Sequence, residues 1–290
     1  SQGVHSFSMQ ILSGIPEIRT ALRDLRGDCN VGLVPTMGAL HAGHYSLVQA
    51  ARQRCGVVVA SIFVNPTQFA PNEDFSRYPR TLEEDCRILE AEGVDMVFTP
   101  TADMMYPPNA STFVEVAGVS ERLDGASRPG HFRGVATVVA KLFHIVQPEF
   151  AFFGQKDAAQ VAVLRQMVRD LNLPVELVVC PIVREPDGLA MSSRNRYLSA
   201  DERRQALVLF RALEVGRTLA EQGEHRAANL LQAMTGTLQQ EPAIRMDYAA
   251  VVDPDTLLPL EDVRSGALLA VAAYVGSTRL IDNILLPPSS

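Results

Sequence analysis

Apolar and polar residues follow two regular patterns along roughly the first two thirds of the chain. Continuous apolar runs predict buried strands at residues 31–35, 57–64, 96–99, 150–153 and 175–179. Between the runs, apolar residues recur every three or four positions, which predicts helices that begin near Gly43, Leu82 and Val135. Strands that alternate with helices form parallel sheets with helices on both faces, so an α/β fold is expected. Ligands of such sheets bind beyond the carboxyl ends of the strands.

The pattern changes near residue 183. A polar loop at 184–195 leads into helical periodicity, and Asp, Pro and Gly turns separate three β-rich runs further on. We expect helices at 200–221 and 225–239, and strands at 246–252, 267–274 and 280–286. Sequential strands with short links form an antiparallel sheet. The sequence therefore predicts two domains, a Rossmann-like domain over residues 1–182 and a smaller α+β domain over residues 183–290.

Composition narrows the class of protein. Of the 290 residues, 47% are hydrophobic and 20% charged, which is typical of a globular protein, and no apolar run reaches the ~20 residues of a membrane span. The net charge of −7, without a polybasic run, argues against nucleic acid as a partner. Four cysteines without metal-site or redox spacing indicate scattered buried thiols in a reducing compartment. Residues 1–8 lack the pattern of a signal peptide, and whether they are native is left open.

The most specific polar pattern is Pro-Thr-Met-Gly-Ala-Leu-His-Ala-Gly-His at residues 35–44, between a predicted strand and a predicted helix. Gly38 and Gly43 permit a tight turn, and the first N–H groups of a helix attract an anion such as phosphate. His41 and His44 are three residues apart and can contact one bound group; the helix N-terminus favours their neutral, hydrogen-bond-donating forms. A metal site and a simple turn cap are the alternatives. The preceding strand and the two glycines favour ligand binding.

Lysine is rare in this chain. Among 26 basic residues only Lys141 and Lys156 are lysines, and a compact ammonium group on a flexible stem suits phosphate binding. Lys156 lies in Gly-Gln-Lys-Asp at 154–157, which repeats the order of strand, turn and helix. Asp157 is placed to cap a helix that begins near Ala158. The alternative for Lys156 is a solvated surface position.

Two further polar segments allow more than one interpretation. Met-Ser-Ser-Arg-Asn at 191–195 offers hydroxyl and guanidinium donors to phosphate; alternatively it is a loop entering a helix capped by Ser199. The acidic pair Glu84 and Asp85 is interpreted as a solvated helix face, with a metal role as a minor alternative.

Together these segments resemble those of pantothenate synthetases. Residues 41–44 carry the His-x-Gly-His signature of a nucleotidyl-transferring superfamily that includes class I aminoacyl-tRNA synthetases. Other strings similar to the family, in its order, are Ser-Ile-Phe-Val-Asn-Pro-Thr-Gln-Phe at 61–69, Tyr-Pro-Arg-Thr at 78–81, Arg-Pro-Gly-His-Phe-Arg-Gly-Val at 128–135, Phe-Gly-Gln-Lys-Asp at 153–157 and Met-Ser-Ser-Arg-Asn at 191–195. The resemblance covers residues 31–195, and the remainder carries no comparable signature.

The resemblance implies roles for individual residues. The implied catalytic residues are His41, His44, Lys156, Ser192, Ser193 and Arg194. ATP would contact these six and also Pro35, Met37, Gly38, Gly154, Gln155, Asp157, Val183 and Met191. The implied substrate-binding residues are Thr36, Asn65, Gln68, Arg128, His131, Val138, Val139 and Gln160. Mg²⁺ would accompany ATP, and no residue is singled out as a direct metal ligand. The family further implies a cytoplasmic homodimer with small-molecule substrates and no membrane partner.

The implied reaction is the ATP-dependent condensation of pantoate with β-alanine through a pantoyl-adenylate, with release of AMP and pyrophosphate. Domain closure would bring residues 192–194 onto the phosphates, so that the C-terminal domain acts as a lid. One alternative is a nucleotidyltransferase that stops after nucleotide transfer, which would not explain Asn65, Gln68 and Gln160. Another is a regulatory nucleotide-binding protein, which the two histidines argue against. A dinucleotide oxidoreductase is poorly supported, because no Gly-x-Gly-x-x-Gly follows the first strand.

Overall fold

The structure is a computed structural model that describes residues 8–290, and the chain forms two compact units. The first unit consists of the chain up to Val116 together with Gly130–Gly154 and Met167–Cys180. The second consists of Ala117–Pro129, Gln155–Gln166 and Pro181–Ser290. The predicted boundary between residues 182 and 183 falls near the start of the longest of these segments and stays a prediction. The expectation of no signal peptide at residues 1–8 concerns positions that, apart from Ser8, lie outside the described residues.

Six parallel strands form the sheet of the first unit, in the order β1-β4-β3-β2-β5-β6. Their bounds are β1 Gln10–Leu12, β2 Val31–Thr36, β3 Val57–Ile62, β4 Met96–Phe98, β5 Phe150–Gly154 and β6 Glu176–Cys180. Each of the five predicted strands is present with ends shifted by at most two residues. β1 was not predicted, because three residues are too few to establish a hydrophobic pattern. Since all pairs are parallel, the loops that follow β2 and β3 leave the sheet at the same edge.

Seven helices accompany these strands along the chain. They are α1 Ile15–Arg26, α2 Ala42–Arg54, α3 Leu82–Ala91, α4 Ala102–Met105, α5 Asp124–Ser127, α6 His131–Val146 and α7 Ala158–Asp170. α2, α3 and α7 begin within one residue of the predicted positions. α6 begins four residues before the predicted Val135, because Gly130 adopts a left-handed conformation with φ +80° and the chain becomes helical directly after it.

The core of the first unit lies on both faces of the sheet. On one face, Val34, Val58 and Phe152 pack with side chains from α2 and α3. The neighbouring strand residues Leu33 and Val59 point to the opposite face and are equally buried. Burial on both faces explains why these strands are continuous apolar runs, and it confirms the predicted α/β fold.

The second unit contains a three-stranded antiparallel sheet in the order β7-β8-β9. Its later elements are α8 Ala200–Gln205, α9 Leu207–Glu221, α10 Ala227–Gln239, β7 Ile244–Val252, β8 Ala267–Val275 and β9 Thr278–Leu286. Leu213, Leu230 and Leu269 lie in its core. The helical stretch predicted at 200–221 is present with both bounds, but it is interrupted at Ala206. At Ala206 the hydrogen bonding changes to the tighter 3-10 pattern, in which the Leu209 N–H donates to the Ala206 carbonyl. This change separates α8 from α9.

Among the described residues, no helix has both the length and the apolar character needed to cross a bilayer. The four cysteines are free thiols. Burial raises the pKa of Cys55, Cys86 and Cys180, so these are protonated core residues as predicted. Cys29 differs: it is exposed, in the turn that precedes β2.

A largely buried ion-pair network joins the sheet of the second unit to α5. The Arg279 guanidinium lies 2.6 Å from Asp124 Oδ1 and 2.9 Å from Asp247 Oδ2. The Tyr248 hydroxyl donates to Asp124 Oδ2 at 3.2 Å. The side chains of Arg279 and Asp124 are only 14% and 9% exposed, so removal of either charge would leave the other without compensation inside the protein.

We therefore expect Arg279→Met to lower the free energy of unfolding by about 3 kcal/mol, because Asp124 and Asp247 would remain in place without their counter-charge. Urea denaturation measures this quantity. Arg264→Met is the matched control, since Arg264 pairs with Asp262 where the side chains are 66% and 42% exposed, and no measurable change is expected. Equal losses in the two variants would contradict the assigned role of burial.

Candidate active site

A tight turn follows β2 and leads into α2. Gly38 and Ala39 both adopt positive φ angles, of 78° and 52°, and Ala39 is an unusual residue for that conformation. The Thr36 hydroxyl donates to the Ser61 carbonyl at 2.8 Å and accepts from the Gly38 N–H at 3.1 Å. Thr36 therefore supports the turn with its side chain, and its predicted contact with substrate stays a prediction.

Two imidazole rings cap the start of α2. His41 is the N-cap residue, and its Nδ1 accepts from the Gly43 N–H at 3.0 Å. His44 Nδ1 accepts from the His41 N–H at 3.2 Å, which completes a reciprocal capping box. The ring centroids lie 4.2 Å apart. A methyl group on Gly43 would lie 2.7 Å from His41 Cε1, so the ring position requires glycine there.

This cap determines where the imidazole protons lie. A ring nitrogen that accepts a hydrogen bond carries no proton, so each neutral ring holds its proton on Nε2. The structure shows the turn cap that the sequence left as an alternative, and ligand binding by the two histidines stays a prediction. The histidines cap the turn through Nδ1, and the same bonds fix both rings as neutral Nε2–H donors.

The turn rests on a buried carboxylate that was interpreted wrongly from the sequence. Asp85 was expected on a solvated face of α3, yet it is 2% exposed. Its Oδ2 accepts from the Ala39 N–H at 2.9 Å and its Oδ1 from the Leu40 N–H at 3.0 Å. The Thr81 hydroxyl donates to both oxygens at 3.1 Å. Glu84, the other member of the acidic pair, is exposed as predicted. The capacity of Asp85 to accept hydrogen bonds is therefore used to hold the turn.

Four residues assigned to ATP or pantoate from the resemblance meet in the first unit. The buried Asn65 amide donates to Gln68 Oε1 and to the Gly134 carbonyl, both at 3.1 Å. Gln68 Nε2 in turn contacts Met37 Sδ at 3.3 Å. His131 Nδ1 lies 2.8 Å from the Gln68 carbonyl oxygen, so this nitrogen carries a proton and donates.

α6 approaches this cluster very closely. A methyl group on Gly134 would lie 2.4 Å from the Thr67 carbonyl oxygen, so only glycine allows the helix to lie against the short 3-10 turn Pro66–Gln68. Val138 and Val139 lie further along α6 and are 6% and 4% exposed. Their predicted apolar contact with substrate stays a prediction.

In the second unit, Lys156 and Ser192 line one small cavity together with Asn195 and Asp282. Ser192 Oγ accepts from the Arg194 N–H at 3.1 Å and so starts the 3-10 turn Ser193–Tyr197. The Asn195 amide donates to the Ala190 carbonyl at 3.1 Å. The segment 191–195 is thus a structured turn, and it precedes a helix with the predicted capping box of Ser199 and Glu202.

The last strand holds the turn that carries Lys156. Asn283, on β9, donates its amide to the carbonyls of Gln155 and Lys156 at 2.9 and 3.0 Å. The neighbouring Asp282 receives both terminal nitrogens of Arg184, at 2.7 and 2.9 Å. Burial raises the pKa of Asp282 above its usual range, and Arg184 opposes this effect. Neither strand residue was predicted, because β9 shows only the apolar pattern of a strand in the sequence.

The predicted site residues fall into two sets. The first unit holds Pro35, Thr36, Met37, Gly38, His41, His44, Asn65, Gln68, His131, Val138, Val139 and Gly154. The second unit holds Arg128, Gln155, Lys156, Asp157, Gln160, Val183, Met191, Ser192, Ser193 and Arg194. Within each unit the contacts above bring several members together. The binding roles of these residues stay predictions.

The chain is similar to known proteins over nearly its whole length. A family model described as pantoate-beta-alanine ligase matches residues 10–285. A pantothenate synthetase of Acidobacterium capsulatum is 63% identical, over 94% of this chain and 95% of that protein. One from Koribacter versatilis is 56% identical, over 96% of each.

Solved structures agree with this similarity. Pantothenate synthetase from Thermus thermophilus has a TM-score of 0.92 at 51% identity, with 97% of this chain and 100% of that chain covered. Pantoate-beta-alanine ligase from Francisella tularensis, complexed with beta-gamma ATP and beta-alanine, has a TM-score of 0.79 at 34% identity, over 96% and 97%.

The geometry of the turn gives a stability prediction for Asp85. Asp85→Ala should lower the free energy of unfolding by about 3 kcal/mol, because two buried backbone N–H groups lose a charged acceptor. Urea denaturation measures the loss, and hydrogen exchange at Ala39 and Leu40 should accelerate. Glu84→Ala is the matched control at the adjacent exposed position and should change neither quantity. An Asp85→Ala protein with unaltered stability and exchange would show that the carboxylate does not hold the turn.

Proposed function

The chain belongs to the pantoate–β-alanine ligase family, and from that premise we propose roles for its predicted site residues in binding ATP and pantoate. The enzyme joins pantoate to β-alanine at the expense of ATP, by way of an acyl-adenylate. What we propose is the division of this work among individual side chains. The observation that carries the proposal is the pair of imidazole rings at the start of α2, fixed as neutral donors.

The first chemical step requires charge neutralisation and positioning. The pantoate carboxylate attacks the α-phosphorus of ATP, a carboxyl oxygen–phosphorus bond forms, and the bond to the departing pyrophosphate breaks. No general base is needed, because the nucleophile is already ionised. Catalysis must come from holding the two reactants in line and from donors aimed at the phosphate oxygens as negative charge builds up.

We assign the phosphate donors as follows. His41 and His44 donate from Nε2 at the N-terminus of α2, where the helix dipole also favours an anion. Lys156 supplies a point charge, while Ser192, Ser193 and Arg194 supply hydroxyl and guanidinium donors. The remaining ATP contacts are proposed for Pro35, Met37, Gly38, Gly154, Gln155, Asp157, Val183 and Met191.

We assign the pantoate site to the cluster around Asn65 in the first unit. Asn65 fixes the side chain of Gln68, whose amide binds a hydroxyl or carboxylate without adding charge. Val138 and Val139 provide apolar surface for the methyl groups of pantoate. The other proposed substrate contacts are Thr36, Arg128, His131 and Gln160.

In the second step, the neutral amine of β-alanine attacks the pantoyl carbonyl carbon. The new carbon–nitrogen bond forms, the carbon–oxygen bond to AMP breaks, and the amine loses a proton. Water would attack the same carbon, so the site must exclude it while the adenylate is present.

We propose Mg²⁺ as the companion of ATP. Within residues 8–290, no group of three His, Cys, Asp or Glu side chains is arranged to hold a metal ion. Mg²⁺ in nucleotide-using enzymes is commonly bound by one or two carboxylates together with substrate phosphates. The donors present therefore suit an ion that arrives on the triphosphate, where it would offset phosphate charge.

Cellular location, assembly and domain division complete the proposal. The four free thiols support a reducing, cytoplasmic environment. The homodimer is proposed from the family resemblance. The division into a Rossmann-like domain up to residue 182 and a C-terminal α+β lid domain is proposed from the change of sequence pattern near residue 183.

The assigned roles predict the behaviour of two variants. His44→Ala and Lys156→Ala should each lower kcat by on the order of 100- to 1000-fold, as expected for the loss of one electrostatic donor to the transition state. Pantothenate formation measures the overall reaction, and pantoate-dependent exchange of pyrophosphate with ATP measures the first step alone. Both rates should fall together.

Lys141→Ala is the control, since Lys141 is the chain's only other lysine and donates to the Met105 carbonyl. Its kcat per folded molecule should match that of the unaltered enzyme. Near-normal exchange in His44→Ala or Lys156→Ala would refute the role given to that residue. Exchange that proceeds without pantoate would instead favour a simple nucleotidyltransferase.

A further inference from the structure

Asn283 makes three side-chain hydrogen bonds to the turn between β5 and α7. Its amide nitrogen donates to the Gln155 carbonyl at 2.9 Å and to the Lys156 carbonyl at 3.0 Å. Its Oδ1 accepts from Gln155 Nε2 at 3.2 Å. Asn283 is 2% exposed, so each of these polar atoms depends on a protein partner and cannot turn to solvent.

The turn lies between a strand and a helix. β5 ends at Gly154 and α7 begins at Ala158, so the carbonyls of Gln155 and Lys156 belong to neither element. A side chain that accepts or donates at two consecutive main-chain groups fixes the path of the chain between them. The direction in which the Lys156 side chain leaves the backbone therefore depends on Asn283.

The main chain of Asn283 is itself fixed by hydrogen bonds to Asp282 and Arg184. Its N–H donates to Asp282 Oδ1 at 2.8 Å, and its carbonyl accepts from Arg184 Nη2 at 3.2 Å. Arg184 forms the two-point ion pair with Asp282 and lies over the Phe210 ring, 4.1 Å from its centroid. Such interlinked, buried polar groups are rigid, because every member loses a partner if one of them moves.

Lys156 lines a small cavity in the second unit. Asp282 lies in its lining, opposite in charge to Lys156, and Ser192 lines the same space. Asn195 Oδ1 is buried there without a hydrogen-bond partner among the described residues. Of the two strand residues, Asp282 thus lines the same cavity as Lys156, and Asn283 bonds to the Lys156 backbone.

We propose that Asn283 is a positioning residue for Lys156, and that the C-terminal strand β9 takes part in phosphoryl-site geometry without touching substrate. The inference rests on the proposed role of Lys156 and goes beyond it. It assigns a function to a part of the chain in which the sequence showed only a strand.

The test is a double-mutant cycle with pyrophosphate exchange as the readout. Asn283→Ala should lower kcat by about ten- to a hundredfold, since all three side-chain hydrogen bonds to the turn are lost. In the Lys156→Ala background the same substitution should cost less than about threefold, because the group it positions is already gone. Asn283→Ser keeps one donor and should give an intermediate rate. Thermal denaturation of every variant separates these effects from loss of folded protein.

Asn229→Ala is the matched control, because Asn229 also donates its amide within the second unit, to Glu224 at 2.9 Å, and should leave kcat unchanged. If Lys156→Ala were fully active, the role of Lys156 itself would be wrong. If Lys156→Ala were impaired while both Asn283 variants were fully active, the positioning role would be overturned. The same would follow if the fold-loss in kcat of the double variant equalled the product of the fold-losses of the two single variants. Failure of both Asn283 variants to fold would likewise overturn it in favour of a general structural role.

Discussion

The histidine turn depends on one interaction: imidazole nitrogens at the start of α2 accept hydrogen bonds from two backbone N–H groups. Helices usually begin with a hydroxyl or carboxylate oxygen as the cap. A hydroxyl would accept from the free N–H groups of the helix, but its short side chain would extend less far toward a ligand. A carboxylate would also accept from them, but it would repel an anion. His41 and His44 satisfy the helix and, because Nδ1 is the acceptor, retain a proton on Nε2. The same two bonds therefore begin the helix and prepare a pair of neutral donors.

Buried polar side chains also hold the backbone of two turns that carry predicted site residues. Asp85 accepts from Ala39 and Leu40 beneath the histidine turn, and Asn283 donates to the carbonyls of the lysine turn. In both cases a buried side chain fixes main-chain groups at or near a residue that we propose to contact ATP. Leaving such buried groups unpaired costs more than the bond itself contributes, so the turns resist displacement. That rigidity suits a reaction that depends on alignment and not on acid–base catalysis.

Much of the fold followed from the sequence because its strands are buried on both faces and are therefore unbroken apolar runs. The turn at residues 35–44 was also predictable, since its glycines and histidines come directly after such a run. Asp85 was missed because an acid in the first turn of a helix is usually solvated, and only tertiary structure shows that it lies 2.9 Å from the Ala39 N–H. Asn283 was missed because strand periodicity says nothing about a partner 127 residues away.

The most direct test of the account is the tautomer of the two rings, read from ring ¹⁵N chemical shifts of the histidine-labelled enzyme near neutral pH. The protein has six histidines, so His41→Asn and His44→Asn spectra would assign the two signals. The account predicts that in both rings Nδ1 is unprotonated and Nε2 carries the proton. A doubly protonated ring, or a proton on Nδ1 of either one, would contradict it.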